Sequence, residues 1–429
     1  MDERMARILR IQVPIWLVTP LVALALVAGF GGGYLSALQL TTPCPLDKQS
    51  CATFANFWRA WDIAADNYVD PEAIDPAKMT DGAIAGMLDS LGDHGHTRYL
   101  SAEDAQFERE SLSGRFEGIG AYIDVRDDQP VIVQPIEGSP AERAGLRPDD
   151  KILKVNGEDV RGVTVEELRS KVRGPKGTAV TLTILHEGEA VPVDITVVRD
   201  EIQLRSVSWR MLPEQVALVQ VNRFAERTTA EFRQALDELE AQGARAIVLD
   251  LRNNPGGLVH ELVGVAGELL PADSTVLLEK GRTGEPRPYK TGRESTPTSL
   301  PLVVLVNENS ASAAEILAGA IKDHGRGRVI GVPTYGTATV LRPFDLPGGA
   351  QVRIGTSEWL TPKGTEVRGR GIEPDELISL PVGADPLTPR EAAALSAQAL
   401  RDSEDTQLAR ALQVVDELGG VSGEGQALP

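Results

Sequence analysis

From about Gln203 to Asp385, short apolar runs of strand length alternate with segments of helical length, and no other feature constrains the fold as tightly. Val216–Val221, Ala246–Leu251, Leu302–Val306 and Arg328–Val332 read as strands. Between them Ala230–Gln242, Leu258–Leu270 and Ala311–Lys322 read as helices. That order predicts an α/β unit, because a strand–helix–strand path lays its strands parallel in one helix-covered sheet. Two strand–loop–helix junctions carry the polar chemistry. One is Leu249-Asp250-Leu251-Arg252-Asn253-Asn254-Pro255-Gly256-Gly257-Leu258, a tight glycine-opened corner whose free N–H groups can bind an oxyanion. The other is Val306-Asn307-Glu308-Asn309-Ser310-Ala311-Ser312-Ala313-Ala314-Glu315. A serine at a helix N-terminus ordinarily caps the helix, and read alone these serines would do no more.

Between Phe116 and about Asp200 the pattern changes to short β-rich runs: Val131–Val133, Lys151–Val155 and Val180–Ile184. Asn156-Gly157 predicts a hairpin, and Thr164–Val172 a helix whose first turn holds Glu166 and Glu167. Gly118-Ile119-Gly120-Ala121 leads into this region. Ser139-Pro140-Ala141-Glu142-Arg143-Ala144-Gly145-Leu146 follows, then Lys151-Ile152-Leu153-Lys154-Val155-Asn156-Gly157. Most of Gly114–Asp200 thereby resembles a PDZ domain. The resemblance implies that an extended peptide adds a strand to the sheet edge. Its terminal carboxylate would be caught by the loop Gly118, Ile119, Gly120, Ala121.

The chain has 429 residues and a formal charge of −19, which would repel a phosphate backbone and makes nucleic acid a poor partner. Its N-terminus differs from the rest. Arg4, Arg7 and Arg10 precede a charge-free run from Ile11 to Leu46, whose apolar heart Val13–Phe30 is long enough to cross a bilayer as a helix. The arginines favour a cytoplasmic N-terminus and an extracytoplasmic remainder. A cleaved signal peptide is the competing reading, although no small-x-small site follows the run. Cys44 and Cys51 are the only cysteines; an oxidising compartment would let them pair, and two free thiols are the alternative.

After this segment Cys51–Asn67 reads as a helix with Phe54, Phe57, Trp58, Trp61 and Ala65 at helical spacing, and Lys78–Leu91 as a second. His94 and His96 follow in a loop. Their spacing can ligate a metal, but no partner pattern accompanies it, so no metal is expected and the pair reads as part of a capped loop. Thr388-Pro389-Arg390-Glu391 is a capping box that opens a tail, and Thr406–Leu418 is a further helix.

The two junctions, the PDZ-like segment, Asn67-Tyr68-Val69-Asp70 and Gly369-Arg370-Gly371-Ile372-Glu373-Pro374-Asp375 together resemble the carboxyl-terminal processing, or tail-specific, protease family. The resemblance runs from about Ala64 through Asp375. It implies a protease core of crotonase-like βαβ units with an inserted PDZ domain. The expected division is 1–40 cytoplasmic stub and transmembrane anchor, 41–112 N-terminal helical region, 113–200 PDZ, 201–385 protease core and 386–429 helical tail. By the family pattern Ser312 is the nucleophile, Ser310 matches an earlier serine, and Ala314 replaces a third. The oxyanion hole would draw on Ala313 and on Gly256 or Gly257, and the reaction is acyl transfer from a peptide bond to water.

One departure is decisive. Family members pair the serine with a lysine base, and here that position is Thr337, in Thr334-Tyr335-Gly336-Thr337-Ala338-Thr339-Val340. Leu341 replaces a glutamine on the following strand. A threonine hydroxyl takes no proton at neutral pH. Lys322, His324 and Lys363 are the nearest replacement bases in sequence, the first two at the far end of the Ser312 helix. The expectation is a cofactor-free, membrane-anchored, extracytoplasmic serine endopeptidase acting on proteins with free C-termini. A pseudoprotease that binds such tails is the alternative.

Overall fold

The computed structural model describes residues 48–93, 96–126 and 128–421. The apolar N-terminal run, Cys44 and His94 lie outside them, so the expected anchor and cysteine pairing fall outside the described residues. Among the described residues no helix is long and apolar enough to cross a membrane.

The chain divides into two units, Met1–Thr80 and Asp81–Pro429. In the first, the helix Lys48–Asn67 carries its aromatics in a self-stacked row, with Phe57 against Trp58 at 5.1 Å between ring centroids and against Trp61 at 6.1 Å. The next helix begins at Pro76, earlier than Lys78, because the Asp75 carboxylate accepts from the N–H groups of Ala77 and Lys78 and proline suits the first helical position.

The second unit is built around a six-stranded sheet. Val207–Met211, Val216–Val221, Ala246–Asp250, Leu302–Val306, Arg328–Gly331 and Glu376–Leu377 lie side by side in chain order. The first pair is antiparallel and the rest are parallel. Ala246–Asp250 and Leu302–Val306 are buried along their whole length, as central parallel strands must be when both faces are covered. Thr228–Ala241, Val259–Gly267 and Ala313–Asp323 pack into one apolar layer. The tail segments Pro389–Ala393, Ala397–Arg401 and Thr406–Val421 supply the other, through Ala392, Leu400, Leu408, Leu412 and Val415.

A second sheet is centred on Gln351–Leu360, which pairs with Arg98–Leu100, Thr275–Lys280 and Thr339–Asp345. The PDZ-like module runs Ala121–Arg126, Gln129–Pro135, Asp150–Val155, Ala179–Leu185, Val193–Val198, with its own core. The expected hairpin is present: Asn156 and Gly157 both take positive φ (49° and 83°) between paired Val155 and Glu158. The module is an insertion, since its entry strand Arg115–Gly118 pairs with its exit strand Asp200–Gln203.

The tail is bolted to the core by charge. Arg252 is fully buried, and its guanidinium donates to Asp250 (2.7–3.1 Å) and to Asp405 at 2.7 and 3.0 Å. Asp405 in turn accepts from the N–H groups of Leu387 and Leu408. Removing one partner of a buried charge cluster strands the others without solvent. Asp405→Ala is expected to cost about 3–5 kcal/mol in urea unfolding; a loss below about 1 kcal/mol would show that the cluster is not structural.

Candidate active site

Ser312 precedes the helix Ala313–Asp323 with φ 53° and ψ −117°. A non-glycine residue holds so unfavourable a conformation only where its surroundings impose it, at a cost of about 1–3 kcal/mol. The effect here is that of a strand-to-helix elbow, which lifts the serine out of the packing. Ser312 is half-buried, whereas Ser310 is wholly buried. The Ser310 hydroxyl donates to Leu251 O at 2.8 Å and accepts from the Asn307 N–H at 2.9 Å. Ser310 is therefore a structural staple, and Ser312 is the serine presented.

The glycine corner lies directly against it. A Cβ added at Gly256 would stand 2.6 Å from Ser312 Cβ and 2.9 Å from Ala313 N, and one at Gly257 would overlap Phe224 O at 2.0 Å. Both positions need glycine for close approach, and both have positive φ (93° and 142°). Corner and elbow are laced together. Asn253 N–H donates to Asn307 Oδ1 at 2.9 Å, Asn307 Nδ2 returns a bond to Asn253 Oδ1 at 2.8 Å, and Ala311 N–H donates to Asn254 O at 2.9 Å. The Gly256 N–H is already engaged, donating to Asn254 Oδ1 at 2.8 Å. This narrows the expected oxyanion set of Ala313, Gly256 and Gly257: Gly256 contributes closeness rather than a free amide.

Glu315 joins the elbow to the third segment. Its buried carboxylate accepts from the N–H groups of Ser312 (2.8 Å), Gly336 (2.7 Å) and Thr337 (2.9 Å) and from the Thr334 hydroxyl (2.5 Å). Burial pushes its carboxyl above the usual range, against the four hydrogen bonds, which favour the charged form. The N–H groups of Ser312 and Thr337 meet at one oxygen, Oε2, so Thr337 stands beside the elbow as the family pattern implies.

Thr337 has a histidine beside it. Its hydroxyl meets His96 Nε2 at 3.0 Å, across 241 residues of sequence. The His96 ring stands edge-on to Tyr335, and its Nδ1 faces Asp93 Oδ1 at 3.9 Å. The sequence pattern reads His96 as part of a capped loop, because nothing in a single chain relates residue 96 to residue 337. The replacement bases it named are elsewhere. Lys322 Nζ donates to Glu373 O, His324 Nε2 meets Thr275 O, and Lys363 lies beside Asp323 at the far end of the helix.

The PDZ-like groove encloses about 230 Å³ and is lined by the predicted loop Gly118, Ile119, Gly120 and Ala121. The carbonyls of Ile119 and Gly120 are turned inward, accepting from Ala141 and Ile136 N–H groups. Phe107 and Glu110, from the helix Ala102–Ser113, also line the groove, and Arg173 pairs with Glu110 at 2.7 Å. A larger cavity of about 610 Å³ reaches from Tyr122 and Ile136 to Arg223 and Asn253 of the corner. Groove and cavity share Ser111, Tyr122, Ile136 and Leu204. Among the described residues no cluster suited to a metal ion is present.

An elbow serine facing a glycine corner, with a PDZ module beside it, marks a serine-type peptidase, and the comparisons agree. The model of peptidase family S41 matches residues 215–378, and that of the PDZ domain residues 131–185. The carboxy-terminal processing protease CtpA of Bacillus subtilis (strain 168) is 37% identical over 319 residues, covering 74% of this chain and 67% of that protein. A CtpA-like serine protease of Staphylococcus aureus (strain N315) is 35% identical over 337 residues, covering 78% of this chain and 67% of its own. An S41 protease of Bacteroides fragilis NCTC 9343 shares the fold, with TM-score 0.51 and 18% identity over 83% of this chain and 97% of that one. The chain belongs to peptidase family S41, among the carboxy-terminal processing proteases.

Gly256→Ala is expected to lower kcat on an unfolded protein substrate by at least about 10²-fold with the near-UV circular dichroism unchanged, because the added methyl group displaces Ser312 and Ala313. Activity within about twofold of wild type would show that the corner is not part of the site.

Proposed function

We propose that the chain is a membrane-anchored, extracytoplasmic endopeptidase that takes hold of protein C-termini in its PDZ groove and cleaves with Ser312 as nucleophile. The strained elbow pressed against Gly256 is the observation that carries this reading. The amides of Ala313 and Gly257 are the assigned oxyanion donors, and Gly118–Ala121 the loop that receives the substrate carboxylate. The continuous lining from groove to corner supports delivery of the tail from one to the other. The arginine-flanked apolar run supports a single anchor with everything after about residue 40 outside. The residue at the family's lysine position, Thr337, favours a second reading, in which the chain binds tails without cutting them.

Full-length protein is expected to degrade an unfolded polypeptide, and Ser312→Ala to reduce the rate by at least about 10⁴-fold. Equal, negligible rates for both would establish the binder. A peptide with a free carboxylate is expected to bind the Ser312→Ala protein at least about tenfold more tightly than its C-terminal amide; equal affinities would contradict the assignment of the loop.

A further inference from the structure

We propose that His96 is the general base of this enzyme, standing in for the absent lysine, with Asp93 orienting its ring and Thr337 holding it at rest. The inference rests on the Ser312 reading above. Three observations carry it. First, His96 Nε2 lies 3.0 Å from the hydroxyl of the residue at the lysine's sequence position. Second, that residue and Ser312 hang their N–H groups on the same Glu315 oxygen, so the residue that meets the imidazole is anchored beside Ser312. Third, a carboxylate stands 3.9 Å from the other ring nitrogen, within ion-pair reach of an imidazolium.

Asp93 is itself held. Its Oδ2 accepts from the Thr97 hydroxyl at 2.7 Å, and Arg368 stands 3.9 Å from its Oδ1. The Thr97 hydroxyl accepts from Gly355 N–H, which ties the loop to the central strand of the second sheet. Among the described residues, the charged and titratable groups placed around the imidazole include Asp93 on its own loop, Tyr335 and the Glu315-bound turn, and Arg368, which reaches Asp93.

The chemistry balances with water as the only co-reactant. His96 Nε2 takes the Ser312 hydroxyl proton as Oγ bonds to the scissile carbonyl carbon. The imidazolium gives that proton to the leaving amine as the C–N bond breaks. Water then adds to the acyl carbon, passing a proton to His96. Collapse of the intermediate releases the carboxylic acid, and Ser312 Oγ recovers the proton. A neutral imidazole does this near neutral pH, as a threonine hydroxyl does not.

The test is the pH profile of kcat/KM for full-length protein on an unfolded substrate, in four versions: wild type, Ser312→Ala, His96→Ala and His96→Ala/Thr337→Lys. Wild type is expected to show an acid limb, because protonation removes the imidazole as a base. His96→Ala should lose about 10³–10⁴-fold or more. The double variant should regain at least about tenfold of that loss, with its acid limb moved up by at least about one pH unit, as expected of a lysine base. A His96→Ala protein with wild-type rate and an unmoved limb would overturn the role of His96 while leaving Ser312 in place. Wild-type activity that survives Ser312→Ala would overturn the Ser312 reading itself.

Discussion

The site depends on one buried carboxylate. Glu315 lies in the first turn of its helix, where a negative charge is favoured, and four donors from two separate segments converge on it. Three are backbone N–H groups, so the residue fixes main-chain position rather than side-chain orientation. It holds Ser312 in a conformation the backbone would otherwise leave, and it brings the Thr334–Thr337 turn alongside. Leaving one such donor buried and unsatisfied would cost about 1–3 kcal/mol, comparable with the strain stored at the elbow. The position of Ser312 and the position of the turn are therefore one decision.

Around that point the fold works as a clamp on three connections. The glycine corner follows the strand Ala246–Asp250, the elbow follows Leu302–Val306, and the turn follows Arg328–Gly331. These strands are neighbours in one parallel sheet, so their C-terminal ends open at the same edge. That is where open α/β sheets place their sites. From below, Arg252 and Asp405 tie the corner to the tail helices, so a segment distant in sequence supports the floor of the site.

Much of this was legible in the sequence. Apolar runs of strand length at 246–251 and 302–306 could be read because burial on both faces leaves an unmistakable composition. The Thr388 capping box and the Asn156-Gly157 turn are local chemistry, and local chemistry survives in one dimension. Ser312, Thr337 and the corner glycines emerged from a pattern spread over the chain. What the sequence hid was contact between distant segments. The helix Ala102–Ser113, part of the groove wall, has an apolar face too weak to announce itself. His96 looked like a loop residue because its partners, Thr337 and Tyr335, are reached only through the pairing of Arg98–Leu100 with Gln351–Leu360. The engaged amide of Gly256 was equally hidden, since it depends on how the Asn254 side chain folds back over its own turn.

The central claim is that the elbow presents Ser312, and no other serine, as an activated nucleophile. Full-length protein treated at neutral pH with an alkyl fluorophosphonate, digested and read by mass spectrometry addresses it most directly. A single phosphonyl adduct on Ser312, with Ser310 unmodified, is the expected result. An adduct on another residue, or no adduct at any serine, would contradict the account.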